Sequence, residues 1–311
     1  MRASYISSLI DLAKEDESIF LLVGDVGYGL VEPYAKQFPE RFINIGIAEQ
    51  NMIGIAAGLA LSSKTVFVYS IANFPILRCL EQIRNDVCYH NADVKIVTSG
   101  GGLIYGALGA SHHVTEDIAV MRTLPNMTVV APGDPAEAVL ATRGVAQLSG
   151  PCYLRLGRTA DPEVHRAYPA FQIGRAVKVR EGSDITLIAS GGILYNVVQA
   201  AQQLAQQGIE ASVLSMHTLK PLDRAAVLSA AEETGAIITI EEHSIIGGLG
   251  SAVAEVLAEG ESLNVAFKRM GVPDEFCSHV GNRDYMLALY SLSMEGIVTS
   301  AKNMVAGRKT N

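Results

Sequence analysis

Short β-branched runs alternate with helix-like segments along the whole of this chain, and that alternation limits its possible folds more than any other feature. IFLLVGDVG (19–27), TVFVYSIA (65–72), VKIVTSG (94–100), MTVVAPGD (127–134) and CYLRLGR (152–158) have the character of buried strands. Between them ILRCLEQIRNDVCYHN (76–91), VTEDIAVMRTL (114–124) and DPAEAVLATRGVAQL (134–148) read as helices, the last opened by Asp134 as N-cap with Pro135 in its first turn. A strand that returns to its sheet through a helix returns parallel, so the pattern predicts parallel sheets with helices on both faces. The pattern lapses at TADPEVHRAYPAFQIGRA (159–176), which has two prolines, mixed charge and no period, and reads as an interdomain linker. It then resumes with DITLIASG (184–191), NVVQAAQQLAQQG (196–208), ASVLSM (211–216), AAVLSAAEETG (225–235), AIITIEEH (236–243), SAVAEVLAEG (251–260) and NVAFKRM (264–270). The expected fold class is α/β, two doubly wound domains, with boundaries at 1–165 and 175–311.

With 311 residues, 49% of them hydrophobic, the chain can fill two cores. A net charge of −8 leaves no basic surplus for neutralising phosphates, so nucleic acid is not an expected partner. No apolar run reaches membrane-spanning length; NMIGIAAGLAL (51–61) is the nearest and is too short. The opening MRASYISSLIDLAKEDES is amphipathic and charged, without the apolar centre of a signal peptide. Cys79, Cys88, Cys152 and Cys277 match no zinc spacing and form no C-x-x-C pair, which suits reduced cysteines in the cytoplasm. No metal site is expected in this chain.

Glycines gather in the expected strand-to-helix turns: Gly24, Gly27 and Gly29, then 100–102 with Gly106 and Gly109, then Gly247, Gly248 and Gly250. None has the P-loop pattern, and none has dinucleotide-binding spacing in a strand-loop-helix setting. The more telling stretch is FINIGIAEQNMIGIAAGLA (42–60), where one acid, Glu49, stands among isoleucines, alanines and glycines. A carboxylate is costly to bury without a partner. Ile43, Ile45, Ile47, Met52, Ile53 and Ile55 leave little room for water, so Glu49 is expected to favour its neutral form. A neutral carboxyl can donate a hydrogen bond to a ligand ring nitrogen, which a carboxylate cannot. The plainer explanation is an acid favoured by the N-terminal end of a helix dipole.

That stretch, with EQIRNDV, GASHHVTEDIAVMRTLPNMTVVAPGDPAEA and EEHSIIGGLGSAVAEVL, closely resembles transketolase-like thiamine diphosphate enzymes. The resemblance covers nearly the whole chain and implies a thiamine-diphosphate pyrimidine-binding domain followed by a transketolase C-terminal domain. It implies that Glu49 hydrogen-bonds the cofactor's aminopyrimidine and drives it toward the imino tautomer that activates the thiazolium carbon. By the same resemblance His112 lies beside the reacting sugar, Asp25, Phe74 and Ile71 lie at the cofactor, and Arg158 and Arg2 hold the substrate phosphate. Arg155 is a possible second phosphate contact, although a strand residue can point the other way. His243 is expected as a satisfied histidine at a domain or dimer contact.

The G-D-G segment with which such enzymes bind Mg²⁺ and the diphosphate is absent. The chain therefore resembles the second half of a transketolase made as two polypeptides. The expected partner is an N-terminal subunit carrying the diphosphate and Mg²⁺ site, and the expected assembly is a two-fold dimer of this chain with two such partners. Leu108 stands where an acid usually contacts a sugar hydroxyl, and Ile71 and Leu77 stand where aromatic residues are common. A modified sugar substrate is compatible with those changes. The alternatives are the beta subunit of a 2-oxoacid dehydrogenase, which shares this two-domain plan, and a noncatalytic partner subunit.

Overall fold

The computed structural model describes residues 1–157, 161–260 and 264–309. Its strands are β1 (Ile19–Val23), β2 (Phe42–Asn44), β3 (Thr65–Ile71), β4 (Val94–Ser99), β5 (Thr128–Val130), β6 (Cys152–Leu156), β7 (Val177–Arg180), β8 (Ile185–Ser190), β9 (Ala211–Ser215), β10 (Thr218–Lys220), β11 (Ala236–Ser244) and β12 (Ala266–Val272). They form a seven-stranded sheet, β10-β5-β6-β4-β3-β1-β2, and a five-stranded sheet, β12-β11-β8-β9-β7. Each sheet is parallel except at one edge, where β10 runs against β5 and β7 against β9. Strands β4 and β8 are buried along their whole length, as helices on both faces of a parallel sheet require.

The helices depart from the expected pattern in one place that matters. The segment 76–91 is not one helix. Helix Asn73–Arg78 begins three residues earlier, and its Pro75 falls in the first turn, where backbone N–H groups have no intrahelical partner to lose. Cys79, at φ −106° and ψ 17°, interrupts it, and the chain continues as Leu80–Gln82 and a π-helix over Ile83–Cys88. An early start and an early stop put Phe74 and Arg78 one turn apart on a short helix directly after β3.

Strand β10 belongs by sequence to the second half, yet it completes the first sheet. Thr218 pairs with Val130, and the Ala131 N–H donates to the His217 carbonyl at 2.7 Å. The two halves are therefore knitted together rather than merely adjacent. The segment between them is irregular but tethered. Asp134 caps helix Pro135–Gln147 through the Glu137 N–H at 2.8 Å, and its other oxygen accepts from the Val164 and His165 N–H groups at 3.0 and 2.9 Å. Phe171 stacks on His217 with centroids 3.9 Å apart.

His165 Nε2 meets Glu137 Oε1 at 2.9 Å. Burial opposes a charge on His165, but the hydrogen bond and the charge of Glu137, with Asp134 behind it, hold its pKa above the ordinary histidine value. A raised folded pKa contributes stability that is complete below the unfolded value, about 6.5, and is lost as pH rises through the folded value. His165→Gln is expected to lower the urea midpoint more at about pH 6 than at about pH 9. Equal losses at both would show that the imidazolium charge contributes nothing.

Candidate active site

In a parallel sheet the carboxyl ends of the strands share one edge, and the loops leaving that edge can converge. Here β1, β3 and β4 are neighbours, and the segments after them carry the expected site residues. The turn that presents Glu49 is built by Asn44 at the end of β2. The Asn44 carboxamide oxygen accepts from the Gly46 N–H at 3.0 Å and the Asp25 N–H at 3.1 Å, and its Nδ2 donates to Asp25 Oδ1 at 3.0 Å. Asp25 sits in the left-handed region, φ 53°. Hydrogen bonds from Asn44 and then the Tyr28 hydroxyl hold its carboxyl below the usual range. Glu49 is the first residue of helix Glu49–Leu61 and is 2% exposed. A Cβ on Gly24 would lie 3.8 Å from Glu49 Cγ and 3.6 Å from Ser70 Oγ, so the end of β1 packs directly against this acid.

Glu49 has a partner that the linear pattern did not suggest. Its Oε2 accepts from Arg78 Nη1 at 2.6 Å, while Oε1 accepts no hydrogen bond among the described residues. The expectation of an acid enclosed by isoleucines alone is therefore corrected. Met52 and Ile53 are buried around it, but Ile47 is 80% exposed, and a guanidinium supplies the counter-charge. Arg78 follows Phe74 by four residues, so on a helix the two share a face, but that spacing does not point to Glu49.

The Arg78 guanidinium lies over the Phe74 ring, 5.3 Å from its centroid. Phe74 meets the His112 imidazole edge to face, with centroids 5.6 Å apart, and Tyr105 meets the same imidazole at 6.4 Å. Asn73 fixes this geometry by donating from Nδ2 to the Ser111 and His113 carbonyls at 3.0 and 2.6 Å. Gly100, at φ +85°, is needed because a Cβ there would collide with Tyr105. Glu49, Arg78, Phe74 and His112 thus form one continuous series of contacts at the carboxyl edge. Ile71 ends β3 immediately before it, paired in register with Ser99.

The other expected residues lie outside this contact series. Arg2 opens helix Arg2–Glu15, where its charge acts on the Tyr69 hydroxyl. Arg158 lies outside the described residues. Arg155 is not a phosphate contact: it is buried, with Nε on Asp117 Oδ2 at 2.7 Å and Nη2 on the Val114 and Glu242 carbonyls at 2.8 and 2.9 Å. It pins the two halves together. His243 is fully buried at the same junction, its Nε2 accepting from the Ala119 N–H at 3.2 Å and its Nδ1 donating to the Ser244 carbonyl at 2.7 Å. The loop 247–250 is filled by its own strand, since Glu241 accepts from the Leu249 and Gly250 N–H groups, both at 2.7 Å.

The site suits a flat, nitrogen-bearing heterocycle. Phe74 offers ring surface, Glu49 an unbonded oxygen, and Ser70 a buried hydroxyl without a hydrogen-bond partner. Among the described residues no three His, Cys, Asp or Glu side chains converge as a metal site. No helix of the described residues is long and apolar enough to cross a membrane. Arg155→Met leaves Asp117 buried without its guanidinium, and the expected loss of stability is about 3–5 kcal/mol. A urea midpoint within error of the wild type would refute the pinning role.

The family model for the transketolase pyrimidine-binding domain matches residues 1–162, and that for the transketolase C-terminal domain matches residues 174–297. The chain is 42% identical to a subunit of the apulose-4-phosphate transketolase of Phocaeicola vulgatus, over 98% of this chain and 97% of that protein. It is 39% identical to the 6-deoxy-6-sulfo-D-fructose transketolase subunit SqwH of a Clostridium species, over 97% of this chain and 93% of that protein. A solved split-gene transketolase, described as an inactive beta4 tetramer, superposes with a TM-score of 0.90 at 40% identity, covering 98% of both chains.

Proposed function

This chain belongs to the transketolase family, and from that premise we propose that it is the C-terminal subunit of a thiamine diphosphate-dependent transketolase. It transfers a two-carbon ketol unit between sugar phosphates or a related modified sugar. The observation that carries this reading is the buried Glu49 at the carboxyl edge of a parallel sheet, in one contact series with Phe74 and His112.

Bound thiamine diphosphate supplies carbanion stabilisation at its thiazolium carbon. Glu49 holds the proton relationship at the pyrimidine ring nitrogen, with Phe74 and Ile71 packing the ring and Asp25 fixing the turn beside it. His112, free to donate from Nε2 while Nδ1 faces Ser111 Oγ at 3.0 Å, serves the sugar oxygens. Arg158 and Arg2 hold the substrate phosphate. Leu108, 57% exposed where a sugar-binding acid would stand, favours a substrate with fewer hydroxyls to satisfy at that point. Relatives named for apulose 4-phosphate and a sulfo-sugar support such a departure.

The diphosphate and its Mg²⁺ are held by an N-terminal partner subunit. Self-association about a two-fold axis uses helix Glu49–Leu61, whose Asn51, Gly54, Gly58 and Leu61 are exposed. Nothing within 4 Å would meet a Cβ on either glycine, which leaves space for a second backbone. Two copies of each subunit make a heterotetramer. The domains span 1–165 and 175–311, and four buried free cysteines suit the cytoplasm.

In the assembled complex Glu49→Gln is expected to lower ketol transfer by about 10²- to 10⁴-fold, the range of acid–base catalysis, with assembly unchanged. Undiminished turnover would remove the role assigned to Glu49. Calorimetry with thiamine diphosphate and Mg²⁺ is expected to show weak binding to this chain alone and tight binding once the partner is added. Tight binding by the chain alone would refute the division of the cofactor site between subunits.

A further inference from the structure

The contact between Arg78 and Glu49 does more than neutralise a buried charge. Arg78 is anchored twice, at Glu49 Oε2 through Nη1 at 2.6 Å and over the Phe74 ring at 5.3 Å. Its side chain remains 48% exposed while that of Glu49 is 3% exposed, so the cation enters the site from its rim. A planar guanidinium held at two points has a fixed orientation, and it transmits that orientation to the oxygen it bonds. Because it takes only Oε2, the carboxyl keeps Oε1 for a further hydrogen-bond partner. Burial alone would accept a cation placed anywhere nearby; it does not require one stacked on the aromatic ring of the same site.

We infer that Arg78 is a positioning residue for Glu49, holding one oxygen of its carboxyl group so that the other faces the cofactor's ring nitrogen, where the two can share a proton. The inference rests on the role proposed above for Glu49. Phe74 takes part because its ring sets the height of the guanidinium, and helix Asn73–Arg78 supplies both side chains from one face.

The test uses the assembled complex with thiamine diphosphate and Mg²⁺ and no sugar. Two quantities are read: deuterium exchange at the thiazolium C2, by quenched NMR, and cofactor affinity, by calorimetry. Arg78→Ala is expected to slow exchange and weaken affinity by about 10- to 100-fold, the effect of one charge-assisted hydrogen bond. Added guanidinium ion is expected to restore most of both, which a merely structural loss would not allow. Wild-type exchange in Arg78→Ala, or a defect that guanidinium leaves untouched, overturns the inference. If Arg78→Ala does not assemble, Arg78→Gln is judged on the same two quantities without rescue. Glu49→Gln separates the layers: its impairment beside an intact Arg78→Ala overturns only this inference, whereas wild-type exchange in Glu49→Gln overturns the reading of Glu49 as well.

Discussion

Parallel pairing imposes a direction on everything else in this protein. When β1, β3 and β4 lie side by side and run the same way, their carboxyl ends share one edge, and whatever follows each strand is delivered there. Gly24 and Asp25 leave β1, Phe74 and Arg78 follow β3, and the loop bearing Tyr105 and His112 follows β4. Residues far apart in sequence thereby come into contact. Asn73 reaches the carbonyls of Ser111 and His113, a link that closes one strand's exit against the next.

An edge assembled from loops holds its geometry only if the body beneath it is rigid. Much of that rigidity comes from the junction between the halves. Arg155 ties Asp117 to the Val114 and Glu242 carbonyls, and Arg283 forms a buried ion pair with Glu242. Strand β10 lends a C-terminal segment to the N-terminal sheet, and Asp134 fastens the connecting segment to a helix cap. The loop carrying His112 continues directly into Val114 and Asp117, so the fastening of the halves and the placement of the site are mechanically continuous.

The Glu49 pocket shows the limits of arguing from hydrophobicity along the chain. An acid in an apolar stretch suggested a carboxyl without a partner, whose burial is costly. That premise failed because the partner arrives from another element: Arg78 is 29 residues away in sequence and 2.6 Å away in space. Arg155 is the opposite case. Its place on a strand left open which way it points, and β6 sends it into the junction. In both cases sequence identified a charge that mattered, and neighbouring elements decided what it met.

From the sequence by itself came the two α/β halves, the irregular join between them, the family signature around Glu49, and most strands to within a residue or two. These are legible because strand and helix periods and capping signals are local, repeating every two to four residues. The π-helix after Cys79, the transfer of β10 into the first sheet, the guanidinium on Glu49 and the burial of Arg155 were decided by tertiary structure alone. Each depends on which surfaces are pressed together once the sheets have formed. A charged side chain's partner is set by distance in space, which no spacing along the chain encodes.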